Sequence, residues 1–463
     1  MDIHLAASIG RMSSVEAMAA ATPDTRDRYV DFLRVASLLG VIFGHFIMAV
    51  VLMDHAAQSF AFTNILEYAT WTRGGTLLLQ VMPVFFVVGG FAHATTLRSL
   101  RRKGGGYADF VEARIGRLVR PALVFIGVWL VVGAVLDLLA GGTVFVQQVA
   151  QIAGQLLWFI GIYLLAAAFA PLTLKAHEKW GVWALVALVA AVVLVDVLRL
   201  AVGVPGVMWL NFAFVWLAVH QLGYFYADGV ADRVGSLRLG AVMASAGAAA
   251  LALLTWLGPY GVAMVSYNGE KLSNLAPPTV ALMVFGFTQA GVLLMLRAPL
   301  TRWLQKPRPW KAVIVGGAVA MTAFLWHFTA LIVIYAVLWI ARVNQTALPT
   351  ELSWWVVKAA LLIPFLLVVA ALVMAFRRFD RPGPRHAVAG PAARRGVLAG
   401  VSAALAIAGM LGFAVVGFRG VVSGYVGNIA GVPMTSVAAS LLVVASAVLA
   451  ALAVRGARER ALP

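Results

Sequence analysis

Long, nearly unbroken apolar runs alternate with short polar connectors along most of this chain. A membrane-crossing helix needs about 20 mostly apolar residues. Twelve stretches meet or approach that length: 35–53, 74–97, 122–140, 156–172, 182–202, 208–227, 239–258, 277–296, 318–340, 354–376, 396–417 and 433–454. The runs are continuous rather than alternating, so they predict helices and exclude the strands of a β-barrel. A shorter piece, 143–155, predicts an amphipathic helix at the membrane interface. The expected fold class is all-α: a polytopic membrane helix bundle of about twelve transmembrane helices. Residues 1–27 form an N-terminal tail, 28–380 hold ten spans, and 381–463 hold two more with a short tail.

Composition agrees with this pattern. Hydrophobic residues make up 62% of the 463 and charged residues 11%, against about 25% charged in soluble domains. That excludes a soluble enzyme and a disordered chain, and the absence of cysteine excludes a disulfide-stapled domain. Residues 1–27 carry no apolar core of the kind a cleavable signal peptide needs. The net charge of +17 first suggests nucleic acid, but its distribution argues against it. With the N-terminus inside, 29 basic residues fall in cytoplasmic segments and 4 (Arg73, Lys271, Arg342, Arg419) in outer loops, while Arg199 and Lys358 lie within spans. This is the asymmetry of an inserted protein. It predicts a plasma-membrane chain with both termini cytoplasmic, partnered by membrane lipids and not by nucleic acid.

Chemistry must then come from the few polar groups inside the membrane, where an ionisable side chain costs about 2.5–3.5 kcal/mol. The first span is the most informative. Arg34 precedes His45 by eleven residues, a spacing that returns to nearly the same helix face about 16 Å further along the axis. It places a cation at the inner mouth and a titratable imidazole near mid-membrane, looking into one passage, with Gly44 giving room for close approach. Arg114 and Arg117, three apart, share a face before the third span and can grip a phosphate; Gly104-Gly105-Gly106 nearby can offer backbone N–H groups. His327 lies as deep in its span as His45 does. His93, His220 and Gln221 are read chiefly as structural. Asp137 and Asp196, near outer ends, either orient an acceptor or reach the interface. The last two spans carry no charge at all and predict an appendage without catalytic groups. No spacing here predicts a metal site.

These landmarks together resemble the acyltransferase-3 family of integral-membrane acyltransferases. Tyr29-Val30-Asp31-Phe32-Leu33-Arg34 followed by His45 is similar to the family's arginine–ten residues–histidine signature. Pro83-Val84-Phe85-Phe86-Val87-Val88-Gly89-Gly90-Phe91 resembles its second-span element, with Gly89 where serine is usual. Arg114-Ile115-Gly116-Arg117 matches its R-x-x-R element, and Trp158-Phe159 and Leu325-Trp326-His327 resemble further landmarks. The resemblance covers about residues 28–380. It implies transfer of an acyl group, commonly acetyl, from cytoplasmic acyl-CoA as co-substrate to a hydroxyl of a glycan, glycolipid or small acceptor. It further implies that His45 is the catalytic histidine, Arg34 its partner, and Arg114 and Arg117 contacts to acyl-CoA, with His327 and Asp31 as additional candidates. The chain departs from some members by its two extra C-terminal spans and by lacking an appended esterase-like domain.

On this reading, imidazole acts as general base on the acceptor hydroxyl or as a transient acyl carrier. The rival reading is a proton-coupled transporter with His45 and His327 as the relay. Its buried acids are few and peripheral, and the only broken-helix signals are Pro83 and Pro364. A non-catalytic scaffold is the third reading.

Overall fold

Helix α1 (Arg28–Met48) opens the bundle, capped by the Asp27 side chain, which accepts the Val30 N–H at 3.0 Å. This computed structural model describes residues 16–17, 19, 21–23, 26–57, 59–140, 143–380, 392–429 and 431–455. Most of the expected N-terminal tail and the connector 381–391 lie outside the described residues. The first span was expected to run to 53, but the helix ends at Met48 and residues Ala49–Asp54 form strand β1. Strand β1 pairs antiparallel with β2 (Ser59–Asn64), Ala49 facing Asn64 and Asp54 facing Ser59. Hydropathy cannot mark this switch, because the run Ala49-Val50-Val51-Leu52-Met53 is as apolar as the helix before it. Its β-branched valines favour strand.

The second expected span, 74–97, is broken. Short turns cover Thr70–Leu79, and the long helix α2 (Met82–Arg102) begins only after Gln80-Val81, with Pro83 in its first turn. The buried Gln80 fills the break, donating to the Met264 carbonyl (2.9 Å) and accepting the Met82 N–H (3.2 Å). Pro364, the other suspected breaker, sits inside a continuous helix.

The other long helices are α3 (Tyr107–Ala140), α4 (Val144–Gln155), α5 (Leu157–Trp180), α6 (Val182–Val197), α7 (Asn211–Ala227), α8 (Ser236–Trp256), α9 (Val280–Leu304), α10 (Pro307–Ile340), α11 (Leu352–Phe376), α12 (Ala392–Val416) and α13 (Ser436–Arg455). Among the described residues ten helices are long and apolar enough to cross a membrane. The 17-residue α7 and the described apolar part of α13, Ser436–Leu452, are shorter. The protein is therefore an all-α multi-pass membrane bundle, decorated at one end by the β1–β2 hairpin and a second small one, Gly427–Ile429 with Val432–Met434.

Hydrophobic attraction between helices is weak in lipid, so close packing must hold the bundle. Glycine supplies it. Helices α2 and α7 cross where Gly90 meets Gly223: a Cβ on Gly90 would lie 1.9 Å from the His220 carbonyl oxygen, and one on Gly223 2.1 Å from that of Val87. Helices α8 and α9 meet through Gly240 and Gly291 in the same way. The C-terminal hairpin, expected as an appendage, is embedded. Gly154 of α4 touches the Gly417 backbone, Phe418 packs fully buried against Phe125 and Trp129, and its N–H donates to the Ala150 carbonyl at 2.8 Å.

A Gly90→Ala variant should lose about 1–3 kcal/mol or more through overpacking at the α2–α7 crossing. Gly116→Ala, where an added Cβ meets nothing within 4 Å, should leave stability unchanged. Thermal unfolding of both in detergent checks the contrast.

Candidate active site

Arg34 and His45 stand on one side of α1, opposite its exposed residues Leu39 and Phe43, which are 62% and 45% accessible. Both side chains therefore point into the bundle, yet both stay partly accessible there. Helix α10 receives them. Gly317 lies against Arg34, its virtual Cβ 3.3 Å from Nη2, and Gly316 lies against Val35. Ten residues on, His327 reaches His45: Nδ1 of His45 and Nε2 of His327 are 2.9 Å apart. Two contacts in the same order along both helices mean that α1 and α10 run parallel.

The hydrogen bonds assign the protons. Nδ1 of His327 lies 2.6 Å from the Phe324 carbonyl oxygen. A carbonyl only accepts, so this nitrogen carries the hydrogen. In neutral His327 the other nitrogen, Nε2, then accepts, and Nδ1 of His45 must donate to it. That leaves Nε2 of His45 without a proton, and no hydrogen bond among the described residues occupies it. The imidazole planes lie within 6° of each other, and the Phe328 ring packs 4.8 Å from that of His45. A base oriented by a second group, itself oriented by a third, is the arrangement used to aim a reactive nitrogen.

At the Arg34 end several charges gather. Arg34 contacts Asp31 at 3.2 Å, and Asp31 also pairs with Arg26 at 2.6 Å. Arg117 is exposed and stands near enough to feel both Arg34 and Asp380. Asp380, just past α11, accepts both the N–H (3.0 Å) and the hydroxyl (2.6 Å) of Thr322 in α10. Arg117 thus joins Arg34 at a basic mouth.

Arg114 takes a different direction. It donates to Thr96 at 2.9 Å, lies over the Phe110 ring, and faces a second histidine pair, His93 and His220, 2.9 Å apart and fully buried. Among the described residues no carbonyl fixes the tautomers of that pair, and the outer nitrogens His93 Nε2 and His220 Nδ1 have no hydrogen-bond partner. Beyond it, His177 bonds Asp228 at 2.9 Å. Burial raises the Asp228 pKa, but hydrogen bonds from His177 and Arg98 outweigh it and hold the carboxyl below its ordinary value.

Other expected contributors are engaged elsewhere. The triglycine offers no free N–H: those of Gly104 and Gly105 bond the carbonyls of Arg101 and Leu100, and that of Gly106 bonds Asp109. Gly104, at φ +76°, simply turns the chain between α2 and α3. Asp137 holds the N–H groups of Val422 and Ser423 in the turn after α12. Asp196 ties Asn211, Tyr260 and Val280 together. Arg98 and Arg101 pair with Glu178. Among the described residues no three metal-ligating side chains converge.

One buried charge near the site was not singled out by sequence. Lys358, 4% exposed, donates to the Ala49 carbonyl (2.6 Å) and the Tyr335 hydroxyl (3.1 Å) and lies over the rings of Phe46, Tyr335 and Trp354. It ties the end of α1 to α10 beyond the two histidines. A lone lysine within an apolar span was its only signal.

A family model described as an acyltransferase domain matches residues 27–376, from the cap of α1 to the last residue of α11. The chain belongs to the acyltransferase-3 family. No curated protein and no solved structure matches it. As a membrane acyltransferase of this family, the protein holds both members of the His45–His327 pair inside the matched region, whereas α12 and α13 lie beyond it.

His327→Phe keeps a ring in place but removes the acceptor for His45 Nδ1–H. Acyl transfer should fall about 10- to 100-fold, the scale known for partners that orient metal-bound histidines, with the thermal midpoint little changed. His327→Gln, whose Oε1 can still accept, should retain more activity. Initial rates on the purified variants decide this.

Proposed function

We propose that the protein moves an acyl group, acetyl in the simplest case, from acyl-CoA docked at the basic mouth to a hydroxyl of a glycan, glycolipid or small acceptor. The observation that carries this reading is the unprotonated, unoccupied Nε2 of His45, aimed into the bundle on the stripe that begins at Arg34. The phosphates of CoA suit Arg34 and Arg117, with Arg114 further round. The thin pantetheine arm suits the distance from these guanidinium groups to the depth of His45.

In the base mode, Nε2 of His45 takes the proton of the acceptor hydroxyl as that oxygen attacks the thioester carbonyl. The carbon–sulfur bond breaks, and the imidazolium returns the proton to the departing thiolate, giving the ester and CoA thiol. In the carrier mode, Nε2 attacks the thioester first and the thiolate leaves. The Nδ1 proton of His45 can pass to His327. The acceptor hydroxyl then attacks the acyl-imidazole, the acyl–nitrogen bond breaks, and His327 returns its proton to Nδ1 of His45. The hydroxyl proton goes to the thiolate, giving the ester, CoA thiol and the starting histidine pair. Asp31 holds Arg34 in place in both. The basic mouth faces the cytoplasm on this reading, with both termini on that side of the plasma membrane and anionic lipid around the bundle.

Purified protein given radiolabelled acetyl-CoA should yield labelled product or hydrolysed donor, and His45→Ala should lower the rate by about 10²–10⁴-fold while inserting normally. A His45→Ala protein with full transfer defeats the assignment; gradient-driven uptake without transfer would make the protein a carrier. The chain has no cysteine, so single cysteines report sidedness cleanly. One at Gly104 should react only from the cytoplasm, and one at Gly269 only from outside.

A further inference from the structure

Between the basic mouth and the histidines lie the buried polar side chains Ser37 and Thr322, the latter bonded to Asp380, and one polar side chain that is not buried. Tyr163 of α5 points into the bundle and remains partly accessible. Its neighbour Phe159 packs against Phe324 at 5.3 Å, one turn from His327 towards the basic end. Tyr163 is a further turn along, which puts it about 10 Å from the level of His327. There it lies within electrostatic reach of the Arg34 guanidinium. It sits between the proposed phosphate grip and the reactive nitrogen.

The ring is held on three sides, by Phe86 at 6.1 Å, Phe159 at 5.9 Å and His93 at 5.5 Å. The fourth side is Gly89. A Cβ there would lie 3.0 Å from Cε2 of Tyr163 and 3.2 Å from its hydroxyl oxygen, so the missing side chain makes the seat. The hydroxyl itself has no hydrogen-bond partner among the described residues. A polar group at membrane depth that is neither buried nor bonded inside the protein is poised for something that enters.

We propose that Tyr163 is a donor-binding residue whose hydroxyl hydrogen-bonds an amide of the pantetheine arm of acyl-CoA. This rests on the acyl-CoA reading above. The arm is uncharged, and its amides need a partner once they leave water. A hydroxyl, able to donate and accept, answers either end of an amide, whereas the phosphates stop at the guanidinium groups.

The test is calorimetric binding of two probes to the full-length protein in detergent: CoA, and adenosine 3′,5′-bisphosphate, which lacks the arm. Tyr163→Phe, which loses only the hydroxyl, should weaken CoA binding about five- to tenfold and leave the bisphosphate unchanged. Gly89→Ala, which pushes the ring off its seat, should do the same. With a donor assay the KM for acetyl-CoA should rise with kcat nearly constant. Equal weakening of both probes, or unaltered CoA binding by Tyr163→Phe, overturns the assignment to Tyr163 alone. Wild-type protein that binds neither probe overturns the acyl-CoA reading and this inference with it.

Discussion

Inside a membrane a polar side chain has no water to fall back on, so its partner decides its state. The chain of bonds from the Phe324 carbonyl through His327 to His45 is where this constraint acts most sharply. One carbonyl, able only to accept, fixes two tautomers in series and leaves a lone pair on the far nitrogen. The second histidine pair has no such anchor among the described residues: His93 and His220 bond each other, but their outer nitrogens find no hydrogen-bond partner there. Two pairs with the same separation thus differ: a backbone oxygen sets the tautomers of one, whose His45 stays partly accessible, while both members of the other are fully buried.

Holding that relay demands close helix contact, and the bundle provides it by omission of side chains. Gly316 and Gly317 let α10 lie against Val35 and Arg34, while Gly90 and Gly223 bring the backbones of α2 and α7 nearly into touch. The fully buried rings of Phe86, Phe125, Phe324 and Trp216 fill what remains. The C-terminal pair α12 and α13 belongs to the same scheme, packed on α4 through Gly154 and Gly417, although the family match ends before it.

Much of this was legible in the chain. Apolar runs of span length gave the bundle, and the eleven-residue step from Arg34 to His45 put both on one face. The rest depended on contacts between distant segments. Spacing along α10 marks His327 as deep, but only the fold makes it the partner of His45. The end of α1 at Met48 is hidden because valine-rich strand and apolar helix have the same hydropathy. Glycine runs look alike in sequence whether their N–H groups are free or, as in Gly104–Gly106, already bonded. Arg114 and Arg117 are neighbours in sequence, yet one reaches the half-buried Thr96 and the other the open mouth. Tyr163 carried no signal, since an isolated tyrosine in an aromatic-rich span is unremarkable until Gly89 is seen beside it.

The parallel course of α1 and α10 has a mechanical corollary. The helices are pinned at two levels, Arg34 on Gly317 and His45 on His327. Sliding α10 lengthwise by a few ångströms would break the imidazole hydrogen bond and part Gly317 from Arg34 together. The two contacts therefore act as one coupling: the register that seats Arg34 on α10 is the same register that aligns the two imidazoles.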